Sequence, residues 1–575
     1  MSENASTTLQ GSNIPPMTDD REQDILQFLK PLSIDDDTVH SLAYQFSNVY
    51  RELALSSDEQ FLPTPVTGLP SGAETGRFLA IDVGGTNLRV AFIELLGDGF
   101  DTSATINGPE RSNDAIRNAQ RPRVRRTLEK AWPIGEHLKI DKTEDLFAWI
   151  GDCIAEVVSD YLSNDAGRNS VPDKLDLGIT FSFPMIQEEL TTATLMPMGK
   201  GFTIHENLDL GSTLLQGYER HTRKQASDDE ESPRAKRRRL GPLPHLRIAA
   251  ITNDTIATLC SLAYSVKSLP NSRVAAGLIV GTGCNATIPL KFNALGETKS
   301  EKIRSKVPGA DETVVNTELT IAGACGPLKD ITTKWDAILD KSTARPGFQP
   351  LEYMTGGRYI GELVRVIFFD YMTTAHMPSV PATSLPAMIA HNYSLTTTFV
   401  SAVVARARTD ADLARELKHR MPAPESSHWS WTPHSAGALR KVAHMVQVRS
   451  AGLIAAATAG LLASVGEIGL TIPPGLAQYS GGRMGTTAYQ PAQEHANSTN
   501  SWSSGPEELV VAYTGGIIQH YPNFKEHCQR FIDKLVMRSG PQSGGKSVYL
   551  RESRDGGIIG AGVLAGMESV SIAAS

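Results

Sequence analysis

The stretch RFLAIDVGGTNLRVAF, residues 77–92, contains two apolar runs separated by a pair of glycines. The first run ends at Val83 and the second begins at Leu88. Two short apolar runs at this spacing are typical of a β-hairpin. The sequence therefore predicts a strand, a tight turn and a second strand, with the acidic Asp82 at the mouth of the turn.

The composition of this turn predicts phosphate binding. Its two glycines can take up positive φ and let successive amides point at an anion, and the polar residues after them add donors. The predicted phosphate-binding residues are Gly84, Gly85, Thr86, Asn87 and Arg89. Asp82 is placed to hold a metal-bound water beside the phosphates. An ordinary Gly-Gly hairpin is the alternative, and no GxxxxGK[ST] loop follows a strand in the sequence.

The composition indicates a multidomain protein in the reducing interior of a cell. The 575 residues are 40% hydrophobic, which is enough for more than one core. Five cysteines without CxxC or Cys/His spacing predict free thiols. A net charge of −8 argues against direct nucleic-acid binding. No apolar run approaches the ~18 residues of a membrane span, and residues 1–20 are predicted to be disordered.

The rest of the chain repeats the opening pattern once and carries several insertions. Residues 248–255 predict a strand that leads into a helix, and residues 274–288 predict a second strand, Gly-Thr-Gly turn and strand. Residues 351–470 are mostly helical by pattern. The basic segment around residues 111–130 is predicted to be a loop, and the Gly-rich residues 555–562 are predicted to form a turn.

Six motifs occur in one order along most of the chain, and together they resemble the eukaryotic hexokinase family. They are IDVGGTNLRV at 81–90, FSFP at 181–184 with GKGF at 199–202, NDT at 253–255, GTGCN at 281–285, NTE at 316–318 and LEYMTGGRYIGELVR at 351–365. The resemblance implies the actin-like (RNase H-like) two-lobed ATPase fold. It places the small lobe at residues 77–247 and the large lobe at residues 21–76 and 248–575, with residues 555–575 returning to the small lobe.

The same resemblance implies transfer of a phosphoryl group from ATP, with Mg²⁺, to a hexose such as glucose. Asp254 would be the general base, although an Asp at the start of a helix is also a common N-cap. Lys200 would assist catalysis, or it is a solvated loop cation. The implied sugar-binding residues are Ser182, Asn253, Asp254, Asn285, Glu318 and Glu352. Further implied nucleotide-binding residues are Gly281, Thr282, Gly283, Gly515 and Gly560.

Three departures from the family pattern predict a weakened enzyme. Residues 198–202 read MGKGF where the family reads WTKGF, which removes a sugar-facing hydroxyl. Residues 316–323 read NTELTIAG where the family reads NTEWGAFG, which adds bulk behind the sugar carboxylate. On the nucleotide side, Thr514, Gly516, Gly557 and Ile558 replace residues that would contact adenosine, so we expect reduced affinity for ATP.

Two classes of function remain open from the sequence. One is an ATP-dependent hexose kinase, and the other is a catalytically poor, hexose-sensing regulator of the kind that the family includes among fungi. Actin-like and chaperone ATPases share the fold but lack the sugar carboxylates.

The polar insertion at residues 220–244 resembles a bipartite nuclear-import signal. It carries the basic clusters Arg223-Lys224 and Lys236-Arg237-Arg238-Arg239, and the alternative is a solvated loop that neutralises its own charge. The sequence therefore predicts a cytoplasmic and partly nuclear protein that binds an import receptor or a regulatory partner.

Overall fold

The computed structural model describes residues 20–97, 123–135, 137–138, 142–163, 173–196, 208–222, 243–266, 271–376, 379–474, 476 and 507–574. The chain divides into two compact units. One consists of residues 1–33 and 361–449, and the other of residues 34–360 and 450–575. The predicted disorder of the N-terminal residues, the loop with Lys200 and both basic clusters of the insertion lie outside the described residues. The predicted lobe boundaries stay a prediction.

The described strands are, in chain order, β1 (Leu62–Pro63), β2 (Thr75–Val83), β3 (Asn87–Leu96), β4 (Val124–Pro133), β5 (Lys174–Phe181), β6 (Met185–Ile186), β7 (Thr194–Leu195), β8 (His245–Thr252), β9 (Ser272–Val280), β10 (Cys284–Lys291), β11 (Glu312–Asn316), β12 (Glu508–Thr514) and β13 (Ser547–Glu552). They form a five-stranded sheet in the order β4-β3-β2-β5-β8, a six-stranded sheet in the order β1-β11-β10-β9-β12-β13, and a small pair, β6 and β7.

The longer described helices are Asp20–Leu29, Asp36–Ser56, Thr143–Ser163, Leu210–Glu219, Asp254–Val266, Glu297–Arg304, Lys334–Ser342, Pro350–Thr355, Gly357–Asp370, Asp410–Arg420, Pro433–Ser464, Gly516–His520, Phe524–Arg538 and Gly556–Ala574. Two short helices, Ala387–Ala390 and Thr397–Phe399, and two π-helical segments, Tyr371–Ala375 and Val400–Val404, lie between them.

The five-stranded sheet explains why the predicted site residues meet. β2 and β3 form the predicted hairpin, in which Val83 pairs with Leu88. β2, β5 and β8 run parallel, so their carboxyl ends lie at one edge of the sheet. The phosphate turn, Ser182 and Asn253 each follow one of these ends, which is the usual place for ligands in an open α/β sheet.

The six-stranded sheet repeats this arrangement. β9 and β10 form an antiparallel hairpin in which Val280 pairs with Cys284, so the Gly-Thr-Gly turn occupies its tip. β9, β12 and β13 run parallel. Gly515 and Gly516 therefore follow the end of β12 next to the tip of the hairpin.

Two of the secondary-structure predictions are wrong. The basic segment does not end as a loop, because Val124–Pro133 is a strand, β4, that pairs antiparallel with β3 at the sheet edge. The Gly-rich residues 555–562 are not a closing turn, because they begin the helix Gly556–Ala574. Glycines let this helix approach its neighbours closely, since a Cβ at Gly178 would overlap the carbonyl of Ala561.

The five-stranded sheet is covered on both faces. One apolar cluster joins its strands to the helix Thr143–Ser163. The other joins them to the helices Asp254–Val266 and Gly556–Ala574. The helix that begins at Asp254 belongs to the second cluster, which anchors it against the sheet.

The smaller unit has its own buried polar group. Arg365 donates from Nη2 to Glu362 Oε1 at 2.7 Å and from Nη1 to the Ile389 carbonyl at 2.9 Å. The Tyr393 amide donates to Glu362 Oε2 at 2.6 Å. Several hydrogen bonds around a buried ion pair are what keeps such a pair from destabilising the fold.

One helix in the described residues, Pro433–Ser464, is long and apolar enough by length and composition to cross a membrane. The most apolar 18-residue stretch of this helix is 89% buried inside the protein, as is usual for a core helix. All five cysteines lie in the described residues, where they are buried and form no disulfide.

Candidate functional site

The hairpin of β2 and β3 forms the first predicted phosphate turn. The Gly84 amide donates to the Asn87 carbonyl at 2.9 Å and closes the turn. Thr86 and Asn87 are exposed, and Asn87 Nδ2 donates to Thr86 Oγ1 at 3.1 Å. The turn therefore presents polar side chains and backbone at the sheet edge, as the sequence predicts.

The hairpin of β9 and β10 forms the second predicted phosphate turn. The Gly281 amide donates to the Gly283 carbonyl at 2.9 Å, and the Gly357 amide donates to the Gly281 carbonyl at 2.8 Å. A Cβ at Gly281 would lie 3.4 Å from the Gly515 Cα. Gly515 itself has a φ of 120° and no room for a Cβ beside the Val280 carbonyl. Glycine is therefore required where these two backbones meet.

The structure assigns the helix cap at the end of β8 to Asn253 and not to Asp254. Asn253 Oδ1 accepts from the Thr255 amide at 3.0 Å and from Thr255 Oγ1 at 2.7 Å. Asp254 is half-buried, and its carboxylate has no hydrogen-bond partner among the described residues. Because the cap is already supplied, the Asp254 carboxylate is free to accept a proton from a ligand.

Two adjoining hollows meet at Asp254. The first has an empty volume of about 1070 Å³, open solvent included, and the second about 800 Å³. The residues shared by both walls are Gly84, Thr86, Ser182, Asp254, Ile279 and Gly515. After the ligands that the sequence predicts for their wall residues, we call the first the sugar cleft and the second the nucleotide cleft.

The sugar cleft brings together the predicted sugar-binding residues. Its wall contains Ser182, Asn253, Asp254, Asn285, Glu318 and Glu352. Lys200, also predicted to act here, lies outside the described residues. The cleft therefore presents carboxylates and amides, which suit the paired hydroxyls of a sugar.

Two buried carboxylates of the sugar cleft accept hydrogen bonds from a backbone amide and from asparagine side chains. Glu352 is 3% exposed, and its Oε2 accepts from the Cys284 amide at 3.1 Å. Glu318 Oε1 accepts from Asn316 Nδ2 at 2.9 Å and from Asn285 Nδ2 at 3.3 Å. Buried carboxylates with fixed orientations can discriminate the geometry of the hydroxyls that they bind.

The nucleotide cleft contains a carboxyl group with a raised pKa. Burial raises the pKa of Asp82 to about 7. The Arg89 guanidinium opposes this shift, whereas the carboxylates of Asp254, Asp555 and Glu129 add to it. The Asp82 carboxyl is therefore poised to change charge near neutral pH.

Arg89, which the sequence predicts to bind phosphate, is ion-paired with two carboxylates in the structure. Its Nε donates to Glu129 Oε1 at 2.9 Å, and its Nη2 pairs with Asp555 Oδ1 at 2.7 Å. Arg126 Nη1 pairs with Asp555 Oδ2 at 2.8 Å. A phosphate would therefore have to compete with two carboxylates for Arg89.

Two family models for hexokinase match consecutive parts of the chain. One matches residues 24–264 and the other residues 275–567. The chain belongs to the hexokinase family. The resemblance stated from the six motifs is thereby confirmed.

Individual relatives agree with this assignment. The chain is 25% identical over 509 residues to Hexokinase-7 of Oryza sativa subsp. japonica, which covers 88% of this chain and 87% of the rice protein. It is 32% identical over 311 residues to a hexokinase of Schistosoma mansoni, which covers 54% of this chain and 55% of that protein. Hexokinase-2 of Schizosaccharomyces pombe is 25% identical over 507 residues, which covers 88% of this chain and 87% of the yeast protein.

Solved structures confirm the predicted fold. A structure described as hexokinase from Schistosoma mansoni complexed with glucose has a TM-score of 0.66 at 24% identity. The match covers 95% of this chain and 99% of that chain. A second structure, described as hexokinase, has a TM-score of 0.62 at 21% identity, and the match covers 95% of this chain and 99% of that chain. The chain therefore has the two-lobed α/β hexokinase fold.

The sequence did not indicate every wall residue of this hexokinase-family site. Ile321, Phe348 and Gln349 line the sugar cleft beside Glu318. Gln349 comes immediately before the helix Pro350–Thr355, three positions from Glu352, and that spacing could have indicated it. Ile321 was read only as bulk behind the carboxylate, whereas its side chain is part of the wall.

Two residues assigned to the nucleotide lie elsewhere. Ile558 is fully buried in the apolar cluster beneath the C-terminal helix, so it does not stand in the path of ATP. Gly560 is not in the wall of either cleft, and a Cβ there would overlap the Ala257 carbonyl. Gly560 permits close packing of two helices. The predicted loss of ATP affinity at Ile558 therefore has no structural basis.

Replacing Gly557 with serine is expected to harm the nucleotide site instead of restoring it. Gly557 lines the nucleotide cleft, and a Cβ there would overlap Asp82 Oδ2. Overpacking of this kind typically costs ~1–3 kcal/mol. The Gly557→Ser variant should have a lower melting temperature and a higher KM for ATP than the wild type. A lower KM for ATP would show that the serine is accommodated and that its hydroxyl contributes to ATP binding.

Proposed function

We propose that the protein is an ATP-dependent hexose kinase that phosphorylates the primary hydroxyl of glucose or a closely similar hexose. The observation that carries this proposal is the position of Asp254, whose carboxylate borders both clefts and is not consumed by the helix cap. A base at this junction can reach a hydroxyl on one side while the phosphates of the nucleotide lie on the other.

The transfer needs one proton acceptor and two sites that hold charge. Asp254 accepts the proton of the sugar hydroxyl, the hydroxyl oxygen bonds to the γ-phosphorus of ATP, and the bond to the β-phosphate oxygen breaks to release ADP. The amides and hydroxyls of the two turns, Gly84 to Asn87 and Gly281 to Gly283, hold the phosphates in line. Catalysis of this kind depends mainly on positioning and charge stabilisation.

The described residues fit a magnesium ion that arrives with ATP. No cluster of three or more ligating side chains is present in the described parts of the chain. Mg²⁺ usually needs only one or two protein carboxylates besides phosphates and waters. Asp82 would hold one of its waters, and the ion would neutralise phosphate charge. Gly557 leaves the space around this carboxylate open.

A coupled assay of phosphoryl transfer tests the proposal. Purified protein with glucose, ATP and Mg²⁺ should form ADP and a sugar phosphate in equal amounts, and should form neither when the sugar is omitted. Fructose and mannose should be run beside glucose to identify the preferred hexose. ADP formation that does not depend on any hexose would contradict the proposal and would indicate a different ATPase of the same fold.

A hexose-responsive regulator with weak catalysis is a second candidate, and the ion pairs of Arg89 support it. Arg89 is bound by Glu129 and Asp555 at the edge of the nucleotide cleft, which lowers its availability to phosphate. Calorimetry distinguishes the two candidates. A regulator should bind glucose with ordinary affinity and turn over little ATP even at saturating concentrations of both.

We also propose that the protein enters the nucleus, on the basis of the two basic clusters at residues 223–224 and 236–239. An import receptor with an acidic groove can take both clusters when they lie on an accessible segment. Deletion of residues 223–239 should make a tagged protein cytoplasmic without changing its affinity for sugar. A full-length protein excluded from nuclei in both sugar-rich and sugar-starved cells would contradict this proposal.

A further inference from the structure

Glu318 has a backbone conformation that is unfavourable for a residue with a Cβ atom. Its φ is +46°, in the left-handed region, although it is neither glycine nor asparagine. Such a conformation costs roughly 1–2 kcal/mol for an ordinary residue, so it persists only where the surrounding contacts impose it. The residue is 6% exposed and lies in the wall of the sugar cleft.

Two hydrogen bonds from one distant segment hold this backbone. Gln60 Nε2 donates to the Glu318 carbonyl at 2.9 Å, and the Phe61 amide donates to the Thr317 carbonyl at 3.1 Å. Gln60 is 2% exposed, and its other amide atom, Oε1, fills the space that a Cβ at Gly323 would need. Gln60 is therefore held on both sides of its side-chain amide.

Lys299 fixes the same segment from the other side. Its Nζ donates to the Gln60 carbonyl at 2.8 Å and to the Leu53 carbonyl at 3.1 Å, at the end of the helix Asp36–Ser56. Lys299 is 7% exposed and forms no ion pair within the described residues.

The hydrogen bonds of the buried Lys299 ammonium all go to main-chain carbonyl groups, and its burial disfavours the charged form. Burial lowers the pKa of Lys299 to about 8, with Asp58 opposing the shift and Lys302 adding to it. A buried charge whose hydrogen bonds all go to main-chain carbonyls serves to fix that main chain.

We propose that Gln60 and Lys299 are positioning residues for the sugar site. They fix the left-handed backbone of Glu318 and thereby direct its carboxylate into the sugar cleft. This inference rests on the proposed function, because it assigns sugar binding to Glu318. Neither residue lines the cleft, so each would act only through the chain segment that it holds.

The Gln60→Met variant tests the proposal with little change in side-chain volume. Removing one positioning hydrogen bond should raise the Kd for glucose roughly 3- to 10-fold. The Kd for ATP should stay within twofold, because the nucleotide cleft does not contact this segment. The Lys299→Met variant should also raise the Kd for glucose and leave the Kd for ATP within twofold. It should in addition lower the melting temperature.

Gln529→Met is the matched control. Gln529 also holds backbone through its side-chain amide, since it accepts from the Leu550 amide at 2.8 Å and donates to the Val548 carbonyl at 2.9 Å. It lies in the wall of neither cleft. Gln529→Met should lower the melting temperature and leave the Kd for glucose unchanged.

A double-mutant cycle separates positioning from general loosening of the fold. In a Glu318→Gln background, Gln60→Met should raise the Kd for glucose less than twofold, because the two changes act on the same contact. Full additivity, or an unchanged Kd in Gln60→Met alone, would overturn the inference. A wild-type protein that binds no hexose would instead contradict the proposed function, and the two failures are therefore distinguishable.

Discussion

Replacing Asp254 with alanine is expected to lower the rate of phosphoryl transfer by at least ~100-fold, the usual contribution of a positioned general base. The sugar must lose its hydroxyl proton as the new bond forms. Among the described residues, no other carboxylate of the sugar cleft also borders the nucleotide cleft. The Kd for glucose should rise by less than the rate falls. Single-turnover assays and calorimetry on the same preparation measure the two effects.

The Asp209→Ala variant is a matched control for this experiment. Asp209 also stands at a helix start, where its side chain accepts from the Ser212 amide at 3.0 Å and caps the helix Leu210–Glu219. Its loss should cost about 1 kcal/mol of stability, as is typical for an N-cap, with kcat unchanged. Asp254→Ala should show the opposite pattern, because Asn253 supplies the cap there.

If the Asp254→Ala variant were as active as the wild type, Asp254 would not be the base. If the Asp254→Ala variant lost both activity and thermal stability, Asp254 would have a structural role. Its melting temperature would then fall as that of Asp209→Ala is expected to fall. The combination of a large loss of rate, retained sugar binding and retained stability is specific to the role proposed here.

The parts of the site that the sequence predicts are those whose structure is determined by a few consecutive residues. The two glycine turns, the NDT segment and the NTE segment each lie directly at a strand end, so their position follows from local pattern. Their convergence follows from a rule of topology, because the carboxyl ends of parallel strands share one edge of the sheet.

Other parts depend on contacts between distant segments and have no local signal. Gln60 lies in a short connection and reaches Glu318 across 258 positions of sequence. The sequence predicts a loop at β4 because five of its residues, including Arg125 and Lys130, are polar. A strand at a sheet edge can carry this much charge, and its pairing with β3 provides the hydrogen bonds.

The C-terminal glycines show how packing overrides propensity. Glycine disfavours helices by about 1 kcal/mol per residue, so residues 555–562 were predicted to turn. In the folded protein Gly560 lies against the Ala257 carbonyl, where no side chain fits. Burial of Ile558 and its neighbours against the sheet stabilises the helix more than the glycines destabilise it.

The activity of the wild type is expected to increase as the pH rises through about 7, because the Asp82 carboxyl has to be ionised to hold a metal-bound water. Burial raises the pKa of this group to about 7 in the free protein. Below that pH the group is mostly neutral, and above it mostly negative. Since kcat/KM reports the ionisation of the free enzyme, kcat/KM for ATP should show this rise, while kcat shows it at lower pH because the cation favours the carboxylate.

The Asp82→Asn variant should lack this rise and should be roughly 10- to 100-fold less active, as is usual when a residue behind a metal's first ligands is lost. Its stability should change in the opposite sense. The Asp82 pKa rises from an ordinary 3.8 in the unfolded chain to about 7 in the folded protein. The folded state therefore binds the proton more tightly, and wild-type stability from this group decreases between pH 4 and 7.

Above pH 7 and without nucleotide, the Asp82→Asn variant should consequently melt at a higher temperature than the wild type, and below pH 4 the difference should vanish. Gain of stability with loss of activity is the pattern expected for a buried functional carboxylate. Lys299 also has a shifted pKa, at about 8, but the variant retains it, so a rise in activity near pH 7 that persists in Asp82→Asn would assign the titration to another group. A variant that melts below the wild type at pH 8 would show that the Asp82 carboxylate stabilises the fold and does not strain it.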